Sequence, residues 1–264
     1  MIREVKRGIY PVVRVKEKRI NVPIVPIGDS HVGSSTFDEP AFDRVIEWTK
    51  KNNALWIGIG DLMEIATKGS PGAGVFEQVM QPQKQIDYLI EKLKPIADTC
   101  MGLIKGNHEE RAFKNTGIDP MQIIANQLGV PYCGWEFFGI VSLDNKTVKM
   151  AYTIYAAHTN TSNKSSGLAL NWMENNFNWV NTDIRFRGHS HDMGFDCGKE
   201  VYSIDPYNMT VTNRVVYDVM TGHFMGRPNS YIASRGAKPK PVGTVACWLN
   251  MDRKDRKVCP EYLL

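Results

Sequence analysis

Short apolar runs recur along the chain, and five of them end at a polar cluster that contains aspartate, asparagine or histidine. The runs predicted as buried strands cover 22–27, 54–59, 101–105, 149–157 and 184–187. Segments in which apolar residues have helical spacing lie at 40–52, 82–98, 119–128 and 168–180. Strands that alternate with helices predict a layered α/β fold.

The C-terminal part has a different pattern. Segments 200–204, 210–219 and 242–249 are predicted as consecutive strands with turns between them and no intervening helix. We expect them to form the second sheet of the fold. The chain has no internal repeat and no long Gly/Ser/Pro linker, so we predict a single domain that spans 1–264.

Composition limits the class of protein. A chain of 264 residues with 42% hydrophobic and 23% charged residues is typical of a soluble globular protein. Its longest apolar runs are far shorter than the roughly 20 residues that cross a bilayer, and no signal-peptide core is present, so we predict no membrane segment. Five widely spaced cysteines favour neither a disulfide framework nor a zinc motif, which fits a cytoplasmic location. The net charge of +4 permits an anionic substrate without indicating a dedicated nucleic-acid surface.

Each of the five strands leads into residues of the types that bind metals in proteins. The ligand-type residues at these ends are Asp29, His31, Asp61, Asn107, His108, His158, His189 and His191. In layered α/β folds, ligands bind beyond the carboxyl ends of the strands, so we expect these side chains to converge. Two carboxylates, one amide and five imidazoles suit two divalent metals with an acid beside them.

The ordered series Asp29-x-His31, Gly60-Asp61, Gly106-Asn107-His108-Glu109, His158 and Gly188-His189-x-His191 resembles the motifs of the calcineurin-like metallophosphoesterase superfamily. The resemblance covers about 22–191. Five motifs in the right order are much more specific than any one of them. The resemblance implies an α/β fold in which a two-sheet sandwich is flanked by helices and holds metals in loops at one end.

The resemblance also implies a role for each residue. Asp29, His31 and His191 would bind one divalent metal, and Asn107, His158 and His189 would bind a second. Asp61 would bridge the two metals, and His108 would be the catalytic general acid, since imidazole transfers protons well near neutral pH. We expect Mn²⁺ first, with Fe, Zn, Ni or Mg as alternatives. A metal-activated hydroxide would then attack phosphorus.

Contacts to the substrate are predicted at three further residues. Lys164 lies in the polar loop 160–164, Arg111 follows the predicted acid, and His223 follows a C-terminal strand. Each has a plain structural alternative, respectively a solvated loop, a salt-bridged helix start and a turn histidine. Glu64 and Glu109 could either steady a metal ligand through a hydrogen bond or cap a helix.

The motif spacings and the Gly60-Asp61-Leu62 start of the second motif favour the phosphodiesterase and nuclease branch over protein phosphatases. We therefore predict a phosphodiester substrate, DNA or a nucleotide. Two alternatives stay open: a phosphomonoesterase that acts on nucleotides, metabolites or phosphoproteins, and a catalytically silent metal-binding scaffold. The sequence makes no prediction of oligomeric state.

Overall fold

The computed structural model of the protein describes residues 2–6, 8–68, 70, 74–76, 78–144, 149–161, 165–196, 198–226, 239–251 and 258–264. Its strands are β1 (Ile2–Lys6), β2 (Val12–Glu17), β3 (Asn21–Ile27), β4 (Leu55–Ile59), β5 (Cys100–Ile104), β6 (Glu136–Asp144), β7 (Lys149–Ala157), β8 (Ile184–Arg187), β9 (Met193–Phe195), β10 (Lys199–Asp205), β11 (Thr210–Thr221), β12 (Thr244–Asn250) and β13 (Val258–Leu263). Its α-helices are α1 (Glu39–Lys51), α2 (Pro82–Leu93), α3 (Asn107–Thr116), α4 (Pro120–Leu128) and α5 (Ser166–Asn176).

The strands form two sheets. One has the order β1-β2-β6-β7-β8-β11-β10, with β9 also paired to β11, and the other has the order β13-β12-β3-β4-β5. Within the second sheet, β3, β4 and β5 are parallel; within the first, β8 lies parallel to both β7 and β11. The prediction of a two-sheet sandwich flanked by helices is confirmed.

Three apolar layers hold the sandwich together. Along β3, Ile24 points into the layer between the sheets, whereas Val25 points into the layer that α1, α2 and α4 cover. This alternation follows from the two-residue repeat of a strand. Helix α5 covers the outer face of the first sheet through Ala169 and Met173. Complete burial of a large apolar side chain contributes about 1.5–3 kcal/mol to stability. The three layers therefore hold the sheets and helices in fixed relative positions.

Local signals explain where the helices begin and end. Asp38 and Asp119 each accept a hydrogen bond from the first turn of α1 and α4, respectively, and a proline occupies that turn in both helices. Gly129 ends α4 in a left-handed conformation with φ of 65°. The predicted helix 82–98 is too long, because α2 ends at Leu93 and continues as a 3-10 helix, Lys94–Thr99, that contains Pro95.

The strands that carry the motifs are confirmed to within one residue at each end. The prediction that the three C-terminal strands share one sheet is wrong in part. Strands β10 and β11 join β8 in the larger sheet, but β12 pairs antiparallel with β3, where Cys247 lies opposite Ile24. Strand β12 therefore belongs to the sheet whose strand β3 leads into the first motif. The predicted helix 168–180 also differs, since α5 spans Ser166–Asn176.

In the described part of the chain, no helix is both long and apolar enough to cross a membrane. The four described cysteines, Cys100, Cys133, Cys247 and Cys259, are free thiols. Cys197 lies outside the described residues.

Candidate metal centre

The loops that follow β3 and β4 are joined by backbone hydrogen bonds. Asp29 N–H donates to the carbonyl of Gly60 at 3.0 Å, and His31 N–H donates to the carbonyl of Asp61 at 3.1 Å. These bonds extend the parallel pairing of the two strands into the motif residues themselves. The first two motifs therefore behave as one unit.

The ligand-type residues have unusual backbone conformations. Eight non-glycine residues have a positive φ in the described part of the chain, and five of them are predicted ligands: Asp29, His31, Asp61, His189 and His191. Their φ angles lie between 47° and 73°. Such conformations cost about 1–3 kcal/mol each and persist where the surroundings hold them, most often at functional sites.

Two glycines allow the loops to approach each other. A Cβ on Gly60, whose φ is 79°, would lie 2.5 Å from the backbone nitrogen of Gly106. A Cβ on Gly188 would lie 2.8 Å from Nδ1 of His158. Only glycine fits at these positions, which explains the glycine that precedes the second and fifth motifs.

The first cluster joins Asp29, His31 and His191. Nε2 of His191 lies 3.2 Å from Oδ1 of Asp29 and 3.3 Å from Nε2 of His31. One ligand atom from each of the three residues lies within 4.8 Å of the others. The structure thus brings together the three residues predicted to bind one metal.

The second cluster joins Asp61, His158 and His189, again within 4.8 Å. Nε2 of His158 lies 3.1 Å from Oδ2 of Asp61 and 3.2 Å from Oδ1 of Asn107. Nδ1 of His158 donates to the carbonyl of Ile59 at 2.8 Å, so Nε2 is the ring nitrogen that faces the cluster. The residues predicted for the second metal, and the predicted bridge, also converge.

A hydrogen bond connects the clusters, because His189 N–H donates to Oδ2 of Asp29 at 2.9 Å. Burial alone would raise the pKa of Asp29, but His158 and His191 outweigh it and lower that pKa to about 2. His158 and His108 likewise lower the pKa of buried Asp61 well below its usual value, against the effect of burial. Both carboxylates are therefore anionic at neutral pH.

His158 and His189 have pKa values shifted in opposite directions. Burial alone would lower the pKa of His158, but Asp61 and Asp29 raise it to about 10. Burial and the neighbouring His158 lower the pKa of His189 to about 4. Without metal, a proton on His158 balances the buried carboxylates. A divalent ion at this position would take over that balance and release the proton.

The donor set fits divalent metals. Oδ1 of Asp29 is buried and has no well-aligned hydrogen bond among the described residues, although Nε2 of His191 lies 3.2 Å away. A cation at this position would compensate the buried carboxylate. Carboxylate oxygens, an amide oxygen and imidazole nitrogens that face the same space are ligands for Mn, Fe, Zn or Ni.

Glu64 contacts two of the predicted functional histidines. Its Oε2 accepts from Nδ1–H of His31 at 3.0 Å, which leaves Nε2 of His31 for the first cluster. Its backbone carbonyl accepts from Nδ1–H of His108 at 2.6 Å. Burial alone would raise the pKa of Glu64, but His31 lowers it overall. Glu64 therefore orients both rings.

Glu109 is fully buried and forms hydrogen bonds with the backbone of the second motif. Its carboxylate accepts hydrogen bonds from the backbone N–H groups of Asp61 at 2.9 Å, Met63 at 3.2 Å and Gly106 at 2.8 Å. Gly106 is the N-cap residue of α3, so this bond is the one that the glutamate of the third helical position makes in a capping box. Burial and nearby Asp61 raise the pKa of Glu109 to about 7. Glu109 both caps a helix and positions Asp61.

His108 lies beside the clusters rather than within either of the two predicted metal groups. Its backbone N–H donates to Oδ1 of Asp61 at 2.8 Å, and its Nε2 lies 4.0 Å from Oδ2 of the same residue. Since Nδ1 is held by Glu64, Nε2 is the nitrogen presented to the site. The ring packs edge-on against His31, with 4.6 Å between centroids.

No family model matches the chain, and no curated protein matches it. Solved structures similar to it include a metallophosphoesterase from Sphaerobacter thermophilus, with 12% identity over 92% of this chain and 89% of that chain and a TM-score of 0.38. Wild-type Vps29 complexed with zinc, from Entamoeba histolytica, is 14% identical over 92% of this chain and 100% of that chain, with a TM-score of 0.40. A hypothetical protein from Pyrococcus horikoshii is 10% identical over 93% and 88% of the respective chains, with a TM-score of 0.44.

The two sheets, their flanking helices and the order of the ligand-type residues follow the arrangement that the motifs imply. The chain has the predicted two-sheet α/β sandwich flanked by helices.

The residues predicted to contact the substrate lie less close together than the ligand-type residues do. His223 stacks on His191, with 5.2 Å between ring centroids, and is buried. Arg111 lies on α3 and donates from Nη1 to Oγ of Ser70 at 2.9 Å, in the loop that follows Glu64. Lys164 lies outside the described residues.

The sequence alone does not assign the roles of three residues of the site, two glutamates and one arginine. Glu64 and Glu109 were ambiguous, although each lies within three residues of a motif histidine or aspartate. Arg187, directly before the fifth motif, was missed because a buried arginine leaves no periodic signal in the sequence.

Proposed function

We propose that the chain is a metal-dependent phosphoesterase that hydrolyses phosphodiesters, with a nucleic acid or a nucleotide as substrate. The observation that supports this most strongly is the pair of adjoining clusters, each with its ligand atoms within 4.8 Å, next to a histidine that belongs to neither cluster. The preference for a diester rests on the motif spacings and the Gly-Asp-Leu sequence of the second motif. The cytoplasmic location stays a prediction from the sequence.

In the proposal, Asp29, His31 and His191 hold one divalent ion and Asn107, His158 and His189 hold another. Asp61 lies between them. When bound, a pair of such ions supplies Lewis acidity that activates water for attack on phosphorus and neutralises phosphate oxygens. We propose Mn²⁺ as the first ion to test. Because two carboxylates oppose four positive charges, the loaded site keeps a positive charge that attracts a phosphate.

His108 is the proposed general acid. The bond from its Nδ1–H to the carbonyl of Glu64 leaves Nε2 to carry a second proton toward the leaving-group oxygen. The carboxylate of Glu64 lies 3.8 Å from Nδ1 and places a negative charge beside this ring. Transfer of the Nε2 proton turns a departing alkoxide into an alcohol.

His223 is proposed to bind a phosphate oxygen. Its Nδ1 accepts from Met225 N–H at 3.1 Å, so the neutral ring carries its proton on Nε2. Burial and His191 lower its pKa to about 3, which keeps the ring neutral. Nε2 is buried without a hydrogen-bond partner among the described residues, and this donor lies beside the first cluster. Arg111 and Lys164 stay proposed as contacts to the rest of the substrate.

The test compares hydrolysis of bis-p-nitrophenyl phosphate and p-nitrophenyl phosphate with Mn²⁺ present, for wild type and Asp61→Asn. The matched control is Asp119→Asn, because it makes the same carboxylate-to-amide change at the cap of α4, where asparagine caps equally well. We expect diester turnover in wild type and the control, and its loss in Asp61→Asn. Mn²⁺ bound per chain, measured by elemental analysis, would fall in Asp61→Asn alone.

The other outcomes choose among the alternatives. A preference for the monoester would favour a phosphomonoesterase and overturn the diester assignment. Two bound metals without turnover of either ester, of single-stranded DNA or of cyclic nucleotides would favour the metal-binding scaffold. Equal activity in wild type and Asp61→Asn would refute the assignment of the proposed site.

A further inference from the structure

Two arginines of β8, Arg185 and Arg187, are buried on the same face of the strand and have different partners. Arg185 forms a bidentate ion pair with Asp218, with both N···O distances 2.6 Å. Arg187, which directly precedes the fifth motif, is fully buried and makes its described hydrogen bonds to neutral groups instead. A buried arginine of this kind needs a reason beyond charge pairing.

The guanidinium of Arg187 contacts both the segment 159–161, which follows His158, and helix α5. Its Nε–H donates to Oγ1 of Thr159 at 3.0 Å, and Nη2–H donates to the carbonyl of Thr161. Nη1–H donates to the carbonyl of Ala169 in α5 at 3.1 Å, and Cζ of Arg187 lies 4.1 Å from the ring centroid of Trp172.

These contacts join two of the three strand ends that supply the second cluster. Thr159 directly follows His158 at the end of β7, and Arg187 lies two residues before His189 at the end of β8. The planar fork donates in three directions at once, which a lysine cannot reproduce. The fork therefore fixes the segment 159–161 relative to the fifth motif.

We infer that Arg187 is a positioning residue that holds the segment 159–161 as a substrate-facing wall of the metal centre. The inference rests on the proposed function of that site and goes beyond it by assigning the wall and the residue that fixes it. Arg187 acts through Thr159 and Thr161 and does not itself touch the phosphate. Its charge, placed in a dry environment, adds to the positive field of the site.

The experiment compares Arg187→Lys, Arg187→Met and the matched control Arg185→Lys, a conservative change at the other buried arginine of the same strand. Two quantities are measured: kcat and KM for bis-p-nitrophenyl phosphate with Mn²⁺, and backbone hydrogen exchange in the peptide that contains 158–161. We expect kcat/KM to fall about tenfold or more in both Arg187 variants, as for a slightly misplaced site. Exchange in 158–161 should rise about tenfold in both, while Arg185→Lys leaves both quantities within about twofold of wild type.

Full recovery of kcat/KM in Arg187→Lys would overturn the inference, because charge alone would then suffice. Equal losses in Arg185→Lys would overturn it too, since the effect would be one of general stability. If wild type hydrolyses no ester, the proposed function fails separately, and hydrogen exchange alone then decides the role of Arg187. Unchanged exchange in 158–161 would refute it.

Discussion

The two ends of the sandwich use their side chains in opposite ways. All six histidines lie at the end where β3, β4, β5, β7 and β8 stop. Three of them, His31, His158 and His223, keep no more than 5% of their surface exposed, and each of the other three contacts one of these rings. At the opposite end, the hairpin of β10 and β11 exposes Tyr202, Ile204, Tyr207, Met209 and Val211. Ile204 keeps 78% of its surface exposed and Tyr207 keeps 95%.

The strand directions establish that the ends are opposite. Strand β11 runs parallel to β8, with Met220 beside Arg187, so its final residue, Thr221, lies at the metal end. Its first residue, Thr210, lies about 35 Å away along the strand. Most polar atoms of the motif residues have described partners at the metal end, whereas the large apolar side chains of the hairpin are exposed. Substitutions should therefore have large effects at one end and small effects at the other.

The largest effect is expected from His108→Ala at the metal end. Loss of the proposed acid should lower kcat for a diester with an alkoxide leaving group by about 10²–10⁴-fold. The fall should be much smaller for bis-p-nitrophenyl phosphate, because nitrophenolate leaves without a proton. Steady-state kinetics on both substrates measures the difference, and elemental analysis should find unchanged metal content. Loss of metal, or equal losses on both substrates, would refute the acid assignment.

A stability effect is expected from Glu109→Ala. The change leaves three backbone N–H groups, those of Asp61, Met63 and Gly106, without their acceptor. We expect the free energy of unfolding to fall by about 3 kcal/mol. Urea unfolding of the metal-free protein measures it, with Glu200→Ala on the exposed hairpin as the control. A loss below about 1 kcal/mol would mean that water replaces the carboxylate.

The smallest effect is expected from Ile204→Thr on the hairpin. Threonine retains the β-branch that suits a strand, and the side chain has little contact to lose. The free energy of unfolding should change by no more than about 0.5 kcal/mol and kcat/KM should stay within twofold. A large loss of either would show that the two ends are coupled, and the comparison between them would fail.

The same contrast explains what could be predicted from the sequence. Strands that end at Asp29, Asp61 and His158 have continuous apolar runs, so periodicity located them to within one residue. Helix α3 starts inside a motif, and the sequence indicates it only as the alternative for Arg111, a salt-bridged helix start, because few apolar residues mark it and its start depends on Glu109. The pairing of β12 with β3 joins residues more than 200 positions apart, and no local pattern records it.

That long-range pairing has a consequence for the newly made chain. Strand β3, which leads directly into Asp29, is held on one side by β4 and on the other by β12, where Thr244 Oγ1 also donates to the carbonyl of Pro26 at 2.6 Å. At about 5–20 residues per second, a ribosome needs roughly ten to forty seconds to pass from β3 to β12. The first motif is made early, but the sheet that supports it is completed late. Stable acquisition of metal by this chain should therefore follow synthesis of β12 rather than synthesis of the ligands.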